Sequence, residues 1–396
     1  MTVSPGLPAP PKPRDLRLDF FRGVALMFIF IDHIPENVLS YFTLEAVGFY
    51  DAAEVFIFIS GYTAALVYGR ALAAKGVLFA SAQVLRRAWQ LYVAHIFLFV
   101  IFIAEVSYTV MTFNNPMYND EMRVGDFLEV PHVAIVKALL LQFQPTFLDI
   151  LPLYIILMTT FPVVLLALRR HPLVALAPSF LLYLLVQFFG VELAAYPEGH
   201  VWYFNPLAWQ FLFIAGAAMG HLAEAGHLPD SRNTRAWGPL TIVALTVAAA
   251  ALVVKVSWTL HGIWESVPGL FIRQLWPVNK TNLSPVRLVP FFALVVLTGR
   301  LVRPQAAFLR SAVARPLVRC GQQSLEIFCL GIILSALGHF VLSEYDASIA
   351  SQLAIDVAGI TLMCLTAKMI DWYKATERSP AAPVLLAASS EGRGLR

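Results

Sequence analysis

Charged residues are scarce in this chain, because Asp, Glu, Lys and Arg make up only 13% of its 396 residues. Hydrophobic residues make up 59%, and a soluble protein of this length could not bury that much apolar surface. The composition therefore excludes an ordinary soluble enzyme. It predicts an all-α integral membrane protein.

Cysteine is also rare, and Cys320, Cys329 and Cys364 lie in or beside apolar segments. Their spacing matches neither a disulfide framework nor a set of metal ligands. We therefore expect no metal site, no permanently bound cofactor and no nucleic-acid partner, and we expect membrane lipid to surround the chain.

Windows of about 20 apolar residues predict about ten transmembrane helices in one bundle. The predicted spans are 20–35, 51–71, 84–112, 148–168, 172–191, 206–224, 237–257, 286–302, 321–343 and 348–372. The apolar run at 132–143 is too short to span and predicts an interfacial or re-entrant helix.

The basic residues predict how the bundle is oriented. With the N-terminus in the cytoplasm, most of the 28 Lys and Arg residues fall in cytoplasmic segments, and ten spans leave both termini there. The Pro-rich, basic segment 1–17 is predicted to be a disordered tail, 18–373 the transmembrane domain and 374–396 a second disordered tail. The first apolar run has no small-residue cleavage site and reads as a retained span.

The first two predicted spans carry ionisable residues. Arg22 and His33 lie eleven residues apart, about 16 Å along a helix, and eleven steps of about 100° bring both side chains to one face. Asp32 precedes His33, and Asp51 and Glu54 begin the next span at a matching depth. A carboxylate there could orient the imidazole. A lone histidine can equally be a packed residue, and acidic residues at a helix start also complement its dipole.

The spacing of Arg22 and His33 and the run AEVFIFISGY at 53–62 resemble a pattern of integral-membrane acyltransferases. More narrowly, the chain resembles the OpgC family, the succinyltransferases of osmoregulated periplasmic glucans. The matching stretches are RDLRLDFFRGVALMFIFIDHIPEN (14–37), DAAEVFIFISGYTAALVYG (51–69), LDILPLYIILM (148–158), WYFNPLAWQFLF (202–213), KTNLSPVRLVPFFAL (280–294) and CGQQSLEIFCLGIILS (320–335). Pro290 stands where similar proteins have histidine, which leaves His33 as the main candidate base.

The resemblance implies an O-acyltransferase of the bacterial inner membrane. It would move an acyl group, expected to be succinyl, from cytoplasmic acyl-CoA to hydroxyls of a periplasmic glucan. We expect His33 to act as general base, with Glu54 holding its imidazole and Asp32 beside it. The cations at the cytoplasmic mouth are candidates to hold the donor's phosphates, although basic residues there also determine topology: Arg22, Arg70, Arg86 and Arg87.

Further polar residues lie at the predicted outer side of the bundle or inside it, near the ionisable residues of the first two spans. The candidates for substrate binding are Asp51, Ser60, Asp149, Asn205, Trp209, Gln210, Lys280, Asn282 and Arg287. Aromatic and amide side chains suit a sugar, although Trp and Tyr also form interfacial belts in any membrane protein. Lys280 and Arg287 are more telling, because basic residues are scarce outside, and either could hold an oxyanion or a succinyl carboxylate. Ser60 could relay the acyl group.

Two other classes of function remain open. A proton-coupled transporter or exporter of a glycan or small polar solute could use His33 and Glu54 as a relay, although the chain has no paired broken helices in corresponding halves. A membrane sensor or scaffold is the third reading, but no soluble output domain is evident. The oligomeric state and the choice between direct transfer and an acyl-enzyme stay open.

Overall fold

The computed structural model describes residues 14–228 and 234–378. These residues form fifteen α-helices and two short 3-10 helices, and among them no strand exceeds an isolated β-bridge. The α-helices are α1 Leu16–Asp32, α2 Leu44–Val47, α3 Ala52–Phe113, α4 Met117–Glu121, α5 Gly125–Glu129, α6 Pro131–Leu139, α7 Ile150–Arg170, α8 Pro172–Phe189, α9 Pro206–Glu224, α10 Thr234–Ile263, α11 Ile272–Leu275, α12 Pro285–Leu301, α13 Ala314–Gln322, α14 Ser324–Glu344 and α15 Ile349–Arg378.

Seven of these helices are long and apolar enough to cross a membrane, namely α3, α7, α8, α9, α10, α14 and α15. The prediction of an all-α membrane protein is thus confirmed, while the count of ten spans stays a prediction. Helices α1 and α12 have 17 residues each and are slightly shorter than those seven. Helix α6 has 9 residues, so the run at 132–143 forms no spanning helix.

Helix α3 contains two of the predicted spans, 51–71 and 84–112. Its 62 residues would extend about 93 Å as a straight helix, roughly three times the hydrocarbon core of a bilayer. The helix breaks at Gly76, whose φ of 81° lies in the left-handed region. The Ala, Leu and Lys residues between the two predicted spans favour helix, so the chain stays helical on both sides of this glycine.

The predicted tail boundaries also differ from the helix ends. Helix α1 begins at Leu16, inside the predicted tail, because the Asp15 side chain accepts a hydrogen bond from the backbone N–H of Arg17 and caps the helix. Helix α15 continues to Arg378, past the predicted end of the domain at 373. The rest of the two predicted tails, residues 1–13 and 379–396, lies outside the described residues.

Glycines bring two pairs of helices into backbone contact. A methyl group at Gly61 of α3 would overlap the carbonyl oxygen of Phe213 in α9, and one at Gly216 would overlap that of Phe58. Helices α1 and α13 meet in the same way, through Gly23 and Gly321. Helix α3 is thereby fixed against α9, and α1 against α13.

The two ends of the bundle carry different charged residues. Asp51 and Lys280 are ion-paired at one end, which we call the Lys280 end. Arg70 pairs with Glu224 at the opposite end, which we call the Arg70 end, and Arg17 lies within electrostatic reach of the same region. Helix α1 runs from the Arg70 end to the Lys280 end.

Candidate functional site

The start of α3 explains why two carboxylates lie together at the Lys280 end. The Asp51 side chain accepts a hydrogen bond from the N–H of Ala53 at 2.8 Å, and Glu54 accepts one from the N–H of Asp51 at 3.0 Å. This reciprocal arrangement is a capping box, which the sequence Asp-Ala-Ala-Glu specifies locally. It fixes both carboxylates before any contact with another helix.

Two cations neutralise this pair of carboxylates. Arg287, from the first turn of α12, donates from Nε to Glu54 at 2.6 Å and from Nη2 to Asp51 at 3.0 Å. Lys280 Nζ lies 2.6 Å from Asp51 Oδ2. Glu54 is 0% exposed and Arg287 8%, so the four charges form a compact cluster with no net charge. We call Asp51, Glu54, Lys280 and Arg287 the ionic cluster.

Lys280 is held in place by the loop 279–284. Trp209 donates from Nε1 to the carbonyl oxygens of Lys280 and Thr281 at 3.1 and 3.2 Å. Asn205 caps α9 and donates to the side chain of Asn282 at 2.8 Å. Two side chains of α8 also donate to carbonyl groups of the loop: Tyr183 to Leu283 at 2.9 Å, and Gln187 to Asn282 at 2.6 Å. The backbone beneath Lys280 is therefore rigid.

The surroundings of Lys280 favour its charged form. Burial alone would lower the pKa of Lys280, but the combined attraction of Asp51, Tyr203 and Glu54 outweighs burial and raises the pKa above its ordinary value. The ammonium also lies 5.6 Å from the ring centre of Tyr203 and 5.5 Å from that of Phe204. Lys280 is thus a fixed positive charge at the end of the bundle.

His33 lies beside the ionic cluster, at the C-terminal cap of α1. Asp51 and Lys280 are close enough to act on it electrostatically. Its half-buried ring stacks on Phe147, with the ring centres 4.5 Å apart and the planes inclined by 27°. Phe147 has a φ of 71°, which for a bulky residue stores backbone strain of roughly 1–3 kcal/mol. Among the described residues, His33 Nδ1 has no hydrogen-bond partner.

The expected contact between Glu54 and His33 is not found. Both carboxylate oxygens of Glu54 are taken, one by Arg287 and the other by the backbone N–H of Asp51. Asp32 stands beside His33 with its Oδ1 enclosed and unpaired within the described residues. Asp149 makes no capping hydrogen bond to α7 and lies within electrostatic reach of Lys280.

Four of the predicted substrate-binding side chains have structural partners instead. Asn205, Trp209 and Asn282 hold the loop 279–284, as described above, and Gln210 exchanges hydrogen bonds with Ser179 of α8. Ser60 is buried in α3. In a sequence, an amide or indole that anchors a loop looks the same as one that binds a sugar, so the pattern could not separate the two roles.

The four predicted donor-binding arginines do not form one group. Arg22 donates to Thr63 Oγ1 at 2.7 Å, inside the contact between α1 and α3, and lies within electrostatic reach of Arg87. Arg70 is ion-paired with Glu224 at 2.8 Å. Arg86 is exposed on the part of α3 beyond Gly76.

A cavity of about 760 Å³ lies between α1, α3, α9, α10 and α12. Arg17 and Arg303 line its mouth at the Arg70 end, and Leu44 and Val55 line it towards the Lys280 end. In the sequence, Arg17 and Arg303 are two of the basic residues that predict the orientation of the bundle, and nothing in their spacing places them at a shared opening.

One stripe of α1 forms a wall of this cavity over much of its length. It consists of Leu18, Phe21, Ala25 and Phe28, three or four residues apart. Asp32 follows Phe28 by one helical turn and so lies at the end of the same stripe. The cavity lining on α1 ends at Phe28, one helical turn before Asp32, the residue next to His33. Within residues 14–228 and 234–378, no group of three or more His, Cys, Asp or Glu side chains could hold a metal ion.

A comparison with protein-family models gives one match. The model described as OpgC protein matches residues 14–375, nearly the whole chain. No curated protein matches the chain.

Proposed function

The chain belongs to the OpgC family of membrane acyltransferases, and we propose that it succinylates a periplasmic glucan. The donor would be cytoplasmic succinyl-CoA, the acceptor a sugar hydroxyl, and the location the bacterial inner membrane. The observation that carries the proposal is the position of His33, an imidazole stacked on Phe147 beside an ionic cluster with a fixed Lys280.

The chemistry assigned to these residues is a direct acyl transfer. The imidazole of His33 takes the proton of the acceptor hydroxyl while the hydroxyl oxygen attacks the thioester carbonyl. The bond between the carbonyl carbon and sulfur then breaks, and the imidazolium returns the proton to the departing thiolate of coenzyme A. Lys280 uses one N–H for Asp51, so its other N–H groups are free to stabilise the oxyanion or to hold the succinyl carboxylate.

The donor route follows from the cavity along α1. Arg303 would hold a phosphate of the donor at the mouth, and the apolar stripe would receive its pantetheine arm. Arg17 is already ion-paired with Asp15 at 2.7 Å, so it would contribute only its positive potential at the mouth. The stripe ends at Asp32, so the thioester would arrive next to His33. This route replaces Arg70 and Arg86 as donor ligands, because one is paired and the other is exposed elsewhere.

The orientation that this chemistry needs is a bundle of ten spans with both termini in the cytoplasm. Counting α3 as two spans at Gly76, and adding α1 and α12, gives ten. The Arg70 end would then face the cytoplasm and the Lys280 end the periplasm. Cysteine-accessibility labelling at exposed positions of the two ends would test this orientation.

Transfer of the acyl group can be measured with the purified chain in lipid nanodiscs. The protein is supplied with succinyl-CoA or acetyl-CoA and with gluco-oligosaccharides, and mass spectrometry identifies the group added. We expect succinyl transfer, reduced about 10²–10⁴-fold in His33→Ala. His132→Ala, at an exposed histidine of α6, is the matched control and should act as the wild type. Transfer from neither donor, or full activity of His33→Ala, would contradict the proposal.

A further inference from the structure

A second pocket, of about 260 Å³, adjoins the ionic cluster and has no role in the chemistry above. It lies between residues 119–126, around α4 and α5, and the segment 195–203 that precedes α9. Tyr203 connects the two sites, because it lines this pocket and its ring centre lies 5.6 Å from Lys280 Nζ. We call it the Tyr203 pocket.

Two amide oxygens in the wall of the Tyr203 pocket are enclosed without a hydrogen-bond donor. They are Asn119 Oδ1 and Gln144 Oε1. Gln144 is held by its own amide nitrogen, which donates to the carbonyl of Leu141 at 2.9 Å. Neither oxygen is open to the pocket, so the polar groups that a ligand can reach there include the carboxylates of Asp120 and Asp126 and the guanidinium of Arg123.

The remaining walls combine aromatic rings with carboxylates. Phe143 and Tyr196 meet edge to face with ring centres 5.7 Å apart, and both line the pocket together with Tyr203. Asp120 and Asp126 add further hydrogen-bond acceptors. Rings for the C–H face of a sugar, with carboxylate oxygens for its hydroxyls, form a site for a carbohydrate.

Charge and size narrow the class of ligand. Asp120 and Asp126 outnumber the one cation, Arg123, so an anionic ligand is disfavoured. An apolar ligand would displace water from Asp120, Arg123 and Asp126 without replacing its hydrogen bonds. The volume of about 260 Å³ lies just below the range of about 300–1,000 Å³ that is usual for small-molecule sites, which suits one sugar ring and not a long chain.

We propose that the Tyr203 pocket binds one ring of a neutral glycan and so holds the acceptor for transfer at a neighbouring ring. The segment 143–147 connects the two places, because Phe143 and Gln144 line the pocket and Phe147 stacks on His33. The binding itself stands on the pocket alone. Only its part in presenting a hydroxyl to His33 rests on the proposed function.

Binding can be measured without any acyl donor. The full chain in nanodiscs is titrated with a β-linked glucotetraose, and saturation-transfer NMR reports the affinity. We expect the wild type to bind, and Asp120→Ala and Tyr196→Leu to bind at least about tenfold more weakly, since each loses an acceptor or a stacking surface. Tyr345→Leu, at a tyrosine that is 75% exposed at the end of α14, is the matched control and should keep the wild-type affinity.

The outcomes separate this proposal from the proposed function. His33→Ala should bind glucotetraose as the wild type does while losing transfer. Asp126→Asn keeps the shape of the side chain and removes only its negative charge, so it is the pocket variant expected to disturb folding least. Its affinity should also fall. The pocket proposal is overturned if the wild type does not bind glucotetraose, if the pocket variants bind as tightly as the wild type, or if succinate displaces the sugar. If the pocket variants carry out transfer with an unchanged KM for the oligosaccharide, the pocket does not bind the acceptor, and the proposed function still stands. If the wild type binds glucotetraose but transfers no acyl group from either donor, the pocket proposal stands and the proposed function fails.

Discussion

Removing the guanidinium of Arg287 should be one of the most destabilising single changes at the Lys280 end. Arg287→Met leaves Asp51 and Glu54 facing only Lys280, so one negative charge is buried without compensation. Breaking a buried ion pair by removing one partner costs about 3–5 kcal/mol, because the remaining charge has lost both its water and its partner. The loss is measured as the free energy of unfolding in mixed micelles of detergent and SDS, followed by circular dichroism.

A second substitution tests whether charge balance is the cause. Glu54→Gln alone should also destabilise the protein, because Arg287 then faces a single carboxylate that it shares with Lys280. The double variant Glu54→Gln with Arg287→Met keeps Asp51 paired with Lys280 and has no net charge. Its loss should therefore be smaller than the sum of the two single losses by about 1–3 kcal/mol, the range expected for residues in one network.

An exposed pair of the same chemical type is the control. Arg70 is ion-paired with Glu224, but its side chain is 51% exposed, so Arg70→Met should cost about 0–1 kcal/mol. The reasoning would be refuted if Arg287→Met cost no more than Arg70→Met. Simple additivity of the two single losses in the double variant would refute it as well.

Three further predictions concern packing, strain and the donor route. Gly61→Ala should destabilise the protein by about 1–3 kcal/mol in the same unfolding assay, since its methyl group overlaps a carbonyl of α9, whereas Gly69→Ala meets no atom and should not. Phe147→Gly and Phe147→Ala should lose transfer activity equally, but the glycine variant should be more stable by about 1 kcal/mol, because only glycine accepts a φ of 71° without strain. Arg303→Gln should raise the KM for acyl-CoA about tenfold by removing a charged hydrogen bond, and Arg86→Gln should leave it unchanged. Equal stability of the two variants in either of the first two pairs, or an equal KM in the third pair, would contradict the corresponding contact.

Local patterns were enough to predict part of the site. The capping box of Asp51 and Glu54 and the position of His33 at the end of α1 both depend on residues nearby in the chain. The structure brings these side chains to one end of the bundle. The partner of Glu54 could not be predicted in the same way. Arg287 is 233 residues further along the chain, and no spacing rule reports which cation will reach a given carboxylate.

The parts of the site that sequence reasoning missed lie in loops and in helices of only five residues. Residues 119–126 and 195–203 have no helical periodicity, so nothing placed Asn119 or Tyr196 beside Tyr203. The opposite error occurred at Trp209, whose indole was expected to meet a sugar and instead fixes a loop. Both errors have one cause, because the role of a polar or aromatic side chain depends on what the fold places opposite it.

The glycine contacts described above bear on what can move in this protein. Where α3 meets α9, and α1 meets α13, carbonyl groups press directly on glycine Cα atoms, and no side chains lie between the backbones to act as a sliding surface. Carrying a whole solute by rocking one half of a bundle against the other would require such seams to part. A rigid helix bundle suits a different process, in which the helices keep their positions and only a small activated acyl group passes between two compartments.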